Sequence, residues 1–183
     1  MKYLILILLL VVLSSCFRSW PTPPDSDTWL ELIERESFSI FLPINWQEVH
    51  QSELVTPSQW ELVLWYRAIE ARGGYYNNII ILQNQNRLRE TDVALMNNNI
   101  NTLRLTMQSF YLITEDEIVV SGDRKRSVIV FRGKYGPQTP EAHYIQTAVS
   151  CGEESYFITI SVWPDLWDHT RYYPLLESFT CQW

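Results

Sequence analysis

Two hydrophobic periods in one chain constrain the fold more than any other feature. Thr91–Gln108 carries apolar side chains at spacings of 3, 4, 3 and 4 residues, which is the period of one face of an amphipathic helix. The members of this stripe are Val93, Met96, Ile100, Leu103 and Met107. On either side, shorter apolar runs alternate or are rich in β-branched and aromatic residues, as in strands. A helix between groups of strands is typical of α+β proteins.

Strand-like segments make up most of the remaining sequence, and turn residues such as Gly73-Gly74 separate them. We predict strands at Phe38–Leu42, Trp60–Ala68, Tyr75–Leu82, Phe110–Ser121 with an acidic turn at Glu115–Glu117, Ser127–Phe131, Tyr144–Val149 and Tyr156–Val162. A closing helix over Asp165–Phe179 contains Pro174, so we expect a kink there or two short pieces, the second starting at that proline. Strands in hairpin succession predict an α+β fold, with an antiparallel sheet of about six to seven strands covered by two helices.

The first sixteen residues have the pattern of an export signal. Lys2 is followed by the apolar run Tyr3–Leu13, which at about 1.5 Å per residue is too short to span a bilayer. Leu13-Ser14-Ser15-Cys16 resembles the bacterial lipobox. The resemblance implies cleavage after Ser15, a lipid on Cys16, and anchoring to the membrane without a transmembrane helix. The alternatives are a plain secretory signal with a chance cysteine, or an uncleaved short anchor.

The chain is therefore predicted to have three parts: a signal peptide over residues 1–15, an acylated cysteine with a proline-rich tether over 16–28, and a single domain over 29–183. Prolines restrict the backbone of the tether, which favours an extended spacer. Trp20 interrupts its polarity and lies either at the membrane interface or against the domain. The predicted localisation is the bacterial cell envelope, with the protein facing the extracytoplasmic side.

Two cysteines, Cys151 and Cys181, remain once Cys16 is lipidated. In an exported protein this pair is a candidate disulfide, which would close a loop of about thirty residues and add roughly 3 kcal/mol of stability. The alternative is a pair of buried free thiols. The three histidines do not stand at ligand spacing from one another, so we predict no metal site. We also predict no cofactor.

Net charge bears on the partners of the chain. With 14 basic and 21 acidic side chains, the formal charge is −7, so we predict no binding to nucleic acid. The one basic cluster is Arg124-Lys125-Arg126. It either meets anionic headgroups or a partner, or it is simply solvated in a turn.

The domain resembles the PsbP-like family in short structural motifs. The matching segments are Phe38–Trp46, a strand with a proline and a turn ending in Trp, the hairpin Tyr144–Val149, Gly152 and Tyr156–Ile160, and the closing Leu176–Phe179. The resemblance implies an α/β/α sandwich that acts as a binding or assembly module without a shared catalytic apparatus. No functional motif of the family can be carried over to residues of this chain.

The segment Trp163–His169 is the most site-like cluster. In a helix, Asp165 and His169 share a face, which would suit base chemistry or part of a metal site, and Trp163 and Trp167 flank them as candidate binding residues. The simpler interpretation is that Asp165 caps the helix and that His169 is half-buried or lies on the surface. No Gly-x-Ser-x-Gly motif accompanies the pair, and we assign no catalytic residue.

Asparagines and aromatics leave a binding function open. Asn97, Asn98 and Asn99 are expected on the solvent side of the predicted helix, with a glycan-binding or hydrogen-bonding face as the alternative. The chain also has eight Trp, ten Tyr and seven Phe, which either build a core of large residues or line a groove.

These patterns favour a non-enzymatic, lipid-anchored protein that binds or supports another envelope component, most simply an envelope protein. Two alternatives remain: a small-ligand or glycan-binding protein with an aromatic groove, and a hydrolase that uses Asp165, Asp168 or His169.

Overall fold

The computed structural model describes residues 30–50, 60–71, 73–120, 124–164 and 168–182. Cys16, Trp20, Asp165 and Trp167 lie outside these ranges, so the predictions that concern them keep the status of predictions. The strands are β1 (Leu30–Glu34), β2 (Phe38–Pro43), β3 (Trp46–Glu48), β4 (Glu61–Ala68), β5 (Asn78–Gln85), β6 (Gln108–Val120), β7 (Arg124–Lys134), β8 (Ala142–Cys151), β9 (Glu154–Val162) and β10 (Thr180–Cys181), and the helices are α1 (Asp92–Thr106) and α2 (Tyr173–Glu177). Among the described residues, no helix has the length and apolar character needed to cross a membrane.

Seven antiparallel strands form the main sheet, in the order β3-β4-β5-β9-β8-β7-β6. Its centre is the β8–β9 hairpin, in which Ile145 pairs with Ile160 and Thr147 with Ile158. Nearly every side chain of β8 is buried, because both faces of the sheet are covered at this point. The predicted α+β fold with a sheet of six to seven antiparallel strands and two helices is confirmed.

The helix α1 covers one face of the sheet over β7 and β8. Thr91 caps its start by accepting a hydrogen bond from the backbone N–H of Ala94 at 3.3 Å. Asp92 faces the sheet and accepts a bond from the N–H of Ser150 at 2.7 Å. Successive helical residues lie about 100° apart, so Val93 points away from the sheet and is 56% exposed. Its predicted place in the core is therefore wrong, and Leu95 is buried instead.

The opposite face of the sheet is covered by a three-stranded sheet in the order β1-β2-β10, together with α2. Three rings meet between this layer and the main sheet: the Phe38 ring centroid lies 5.5 Å from that of Tyr156 on β9 and 5.2 Å from that of Phe179. The end of the chain forms a 3-10 turn, His169–Tyr172, followed by α2 with Pro174 in its first turn. The predicted division into two short pieces is confirmed.

The predicted acidic turn at Glu115–Glu117 is wrong. These residues continue β6, where Glu115 pairs with Ile129 and Glu117 with Ser127 of β7. β6 is an edge strand, so its outward carboxylates stay in water and need no turn to reach it. Charged side chains on an edge strand also disfavour pairing with another chain.

A disulfide joins Cys151, at the end of β8, to Cys181 in β10. The two Cα atoms are 5.8 Å apart, within the roughly 4.4–6.8 Å that disulfides span. The bond connects the centre of the main sheet to the short strand that completes the smaller sheet. It therefore holds the last residues of the described chain against the domain.

Replacing both Cys151 and Cys181 with Ser should lower the free energy of unfolding by about 3 kcal/mol, because the unfolded chain regains the entropy of an open loop. Chemical denaturation of the wild type and the double variant measures the difference. A reducing agent should destabilise the wild type by a similar amount and leave the double variant unchanged. Equal stability of the two proteins under oxidising conditions would contradict the pairing.

Candidate functional site

A cleft of about 430 Å³ opens beside α1, over the ends of β5 and β9. Its walls are the inward side of α1 and the turn that follows β5, and its floor includes Ser155 and Phe157 of β9. Five carboxamide side chains line it: Asn84, Gln85, Asn86, Asn98 and Asn99. Trp60, which directly precedes β4, contributes the largest ring. We call this feature the amide cleft.

Asn86 builds the turn that forms one wall of the amide cleft. It is 4% exposed, and its side-chain oxygen accepts a hydrogen bond from the N–H of Glu90 at 2.8 Å. Its Nδ2 donates to the carbonyl of Glu90 at 3.0 Å and to Oγ of Ser150 at 2.9 Å. A buried amide with all these partners fixes the backbone between β5 and α1. Asn86 is therefore a structural residue of the cleft.

Two side-chain amides on α1 donate hydrogen bonds to side-chain oxygens, one of a carboxylate and one of another amide. Nδ2 of Asn98 donates to Oε1 of Glu90 at 2.9 Å, and Nδ2 of Asn99 donates to Oε1 of Gln146 on β8. In the described part of the chain, the Oδ1 atoms of both asparagines accept no hydrogen bond. Each amide thus offers an oriented acceptor oxygen at the cleft.

The aromatic part of the cleft is Trp60 against Phe157. Their ring centroids are 4.8 Å apart with an interplanar angle of 61°, an edge-to-face contact. Trp60 is half-buried, and the contact with Phe157 sets the orientation of the indole. An oriented ring with part of its surface accessible is the usual platform for a flat or ring-shaped ligand.

The predicted Asn97–Asn99 surface divides in two. Asn97 is exposed on the solvent side, as expected, whereas Asn99 is turned toward the sheet and Asn98 lies on the rim of the cleft. Two further members of the site, Trp60 and Asn84, were not singled out from the sequence as binding residues. The sequence feature that could have indicated them is their position, a large ring and an amide close to the ends of predicted strands.

His169 contacts a carboxylate of the main sheet. Its Nε2 lies 3.5 Å from Oδ2 of Asp116 on β6, and the same carboxylate accepts a hydrogen bond from the hydroxyl of Tyr173 on α2. Asp168 accepts bonds from the N–H and hydroxyl of Thr170 and so caps the 3-10 turn. The two contacts with Asp116 hold the closing helical segment, which is the 3-10 turn together with α2, against β6. Asp116 and Tyr173 are partners that the sequence reasoning missed.

Trp163, a candidate binding residue, packs against the Gly73-Gly74 turn and Tyr75. Gly73 has a φ of +56°, and a Cβ there would lie 2.8 Å from two carbons of the indole. The backbone N–H of Trp163 donates a hydrogen bond to Oδ1 of Asn77 at 3.0 Å. The centroid of the Trp163 indole lies 6.1 Å from that of the Tyr75 ring. The indole therefore closes the turn that the two glycines make.

The basic cluster lies on β7 and not in a turn, and its three side chains do not share one face. Arg126 is 5% exposed and donates to the carbonyl of Leu176 at 2.9 Å. Burial lowers the pKa of its guanidinium, with the nearby Arg124 adding to that effect and Asp92 opposing it. Lys125 points outward, where its ammonium lies 2.8 Å from a carboxylate oxygen of Glu117. A contact of this cluster with a membrane or a partner would therefore involve Arg124 and Lys125, because Arg126 is buried.

Metal ligands are not grouped in the described residues: no cluster of three or more His, Cys, Asp or Glu side chains stands at a distance suited to a metal ion.

A second group of aromatics, separate from the amide cleft, packs on the α1 side of the sheet. Tyr144 stacks on Phe131 at 5.0 Å and meets Tyr135 edge-on at 5.6 Å. These rings belong to the core and its margin.

No family model and no curated protein matches the chain. Among solved structures, cyanobacterial PsbP (CyanoP) from Synechocystis superimposes with a TM-score of 0.61 at 13% identity, over 90% of this chain and 99% of that one. A protein of unknown function from Pseudomonas aeruginosa, titled a putative regulator, superimposes with a TM-score of 0.47 at 10% identity. The match covers 79% of this chain and 89% of that one. The likeness to CyanoP shows that the chain has the PsbP-like fold.

The stability of the domain should fall as pH rises above about 10, because burial raises the pKa of Tyr144, with smaller contributions from Tyr75 and Tyr135. A phenol whose folded-state pKa is raised favours folding below its unfolded pKa and loses that contribution as pH rises through the folded value. Thermal melts from neutral pH upward measure the effect. The fall should be shallower in Tyr144→Phe, and an equal slope in both proteins would contradict the assignment.

Proposed function

We propose that this protein is a non-enzymatic binding module, held at the bacterial cell envelope through Cys16, that binds another envelope component in the amide cleft. The observation that carries the proposal is the cleft itself. It is concave, has about 430 Å³ of volume, and combines one oriented ring with several side-chain hydrogen-bonding groups. Sites with a few placed polar groups around an aromatic surface are the common form of ligand pockets.

The contacts of the titratable groups support binding over catalysis. Glu90 holds Asn98, and Arg87 donates through Nε to Oε1 of Gln85 at 3.0 Å, so the charged lining residues orient amides. Outside the cleft, Asp116 is engaged by Tyr173 and His169. The alternative of a hydrolase that uses Asp165 and His169 would need this imidazole beside a bound substrate, whereas His169 begins the closing 3-10 turn and lies against Asp116 of β6.

Placement at the envelope rests on the N-terminal pattern and on the cysteine pair. The lipobox-like Leu13–Cys16 follows an apolar run of signal-peptide length. The disulfide between Cys151 and Cys181 suits an oxidising compartment outside the cytoplasm. Acyl chains on Cys16 would give stable anchoring, at about 0.8 kcal/mol per buried methylene.

Replacing Cys16 with Ser should remove the attachment site for the lipid and release the protein from the membrane. Fractionation followed by intact-mass measurement gives both outcomes at once. The wild type should carry acyl mass and lack residues 1–15, whereas the variant should carry no acyl group. A variant that remains membrane-bound with the same mass as the wild type, apart from the single substitution, would contradict the lipoprotein assignment.

Binding in the amide cleft is tested by a photo-crosslinking amino acid at Asn98, with Asn101 as the matched control. Both are exposed asparagines on α1, but only Asn98 lines the cleft. Illumination of native membranes should give a reproducible adduct from position 98 and none from position 101, and its mass identifies the component. Equal labelling from the two positions, or none from either, would contradict the proposal.

A further inference from the structure

We propose that the component bound in the amide cleft is a neutral oligosaccharide chain, with a sugar ring stacked on Trp60. The inference rests on the proposed function, because it takes the cleft as the binding site. It adds the chemical class of the ligand.

Trp60 offers the contact that a sugar ring needs. One side of a pyranose presents C–H groups with partial positive charge, and the face of an indole is electron-rich, so the two attract each other. The Phe157 ring packs against the indole, with centroids 4.8 Å apart at an interplanar angle of 61°, and this contact restricts the orientation of the indole. Because the ring is already oriented, binding would cost little side-chain entropy.

The amides around Trp60 match the hydrogen-bonding capacity of hydroxyl groups. Asn98 and Asn99 each use Nδ2 within the protein, which leaves Oδ1 as an acceptor. Asn84 uses Oδ1 to accept a bond from the N–H of Gln85 at 2.8 Å, which leaves its Nδ2 as a donor. A hydroxyl both donates and accepts, so a ring with several hydroxyls can satisfy acceptors on α1 and a donor on β5 together.

The charge of the lining argues against an ionic ligand. Its formally charged members in the described residues are Arg87 and Glu90, one of each sign, and both are engaged with amide side chains. A phosphate or carboxylate ligand would require converging cationic groups or backbone N–H groups. The lining therefore suits a ligand that is polar and uncharged.

The strands under the cleft argue against an extended peptide. A peptide gains affinity by pairing with a free strand edge. β9 is paired with β5 and β8 along its length, and β5 is paired with β4 as far as Gln83. In the described residues only Asn84 and Gln85 of β5 lack a partner on the β4 side, which is too short a stretch of edge for an extended peptide to pair with. A ligand in the cleft is therefore recognised mainly by side chains, which suits rings that carry several hydroxyl groups. The volume of about 430 Å³ lies in the lower part of the roughly 300–1,000 Å³ range of ligand sites, which suits a short stretch of a chain.

The test uses the full-length lipidated protein in lauryl dimethylamine oxide, a detergent without a sugar headgroup. Two neutral probes, maltotetraose and the tetramer of N-acetylglucosamine, are titrated by calorimetry and by NMR. We expect at least one probe to bind saturably with a millimolar or lower dissociation constant. The signals of the Trp60 indole N–H and of the Asn98 and Asn99 side-chain amides should shift on binding.

Variants locate the binding in the cleft. Trp60→Ala should weaken binding about tenfold or more, because the ring platform is lost. Asn98→Ala should weaken it about fivefold, the value expected for one neutral hydrogen bond. Asn101→Ala, on the exposed side of the same helix, should leave the dissociation constant unchanged. Since Asn98 is exposed, its variant keeps the test informative even if Trp60→Ala misfolds.

Failure of the inference and failure of the proposed function give different results. If neither probe binds while the crosslinker at Asn98 still captures a component, the sugar assignment is wrong and the cleft remains a binding site. If neither probe binds and the crosslinker captures nothing, both are wrong. Probe binding with equal affinity in wild type, Trp60→Ala and Asn98→Ala would also overturn the inference.

Discussion

The geometry of the structure follows from one constraint: a single helix cannot cover a seven-stranded sheet. A helix is about 10 Å across, and strands lie about 4.8 Å apart, so one helix covers about two strands. α1 lies over β7 and β8, and among the described elements no other helix lies beside it on that face. The opposite face is covered more fully by the smaller sheet and α2. On the α1 side of the sheet, the β5 side chains Ile80, Leu82 and Asn84 therefore stay only half-buried.

The amide cleft is the consequence of that partial cover. Polar residues can occupy the border between helix and open sheet, because water or a ligand satisfies them there. Asn86 fixes the connection from β5 to α1 through its buried side chain, so one wall of the cleft is held in place. Trp60 and Asn98 both line this site, whose walls are held by interactions within the protein. Such a site is prepared for a ligand before the ligand arrives.

Local features of the sequence predicted the elements well. Pro174 near the start of a second short helix and the Cys151–Cys181 pair depend on neighbours or on counting, and both are found in the structure. Convergence of distant residues was not predictable in the same way. Trp60 and Asn98 are 38 positions apart, and their meeting depends on strand order, register and where α1 settles on the sheet. Asp116 was misplaced because an acidic run resembles a turn.

The account depends most on whether the amide cleft holds a sugar ring. The most direct measurement is a crystal structure of the full chain grown with the neutral oligosaccharide that binds more tightly. The account predicts a pyranose ring against the indole of Trp60, with its hydroxyls bonded to Oδ1 of Asn98 or Asn99 and to Nδ2 of Asn84. A sugar bound elsewhere on the protein, with the cleft empty of it at saturating concentration, would contradict the account.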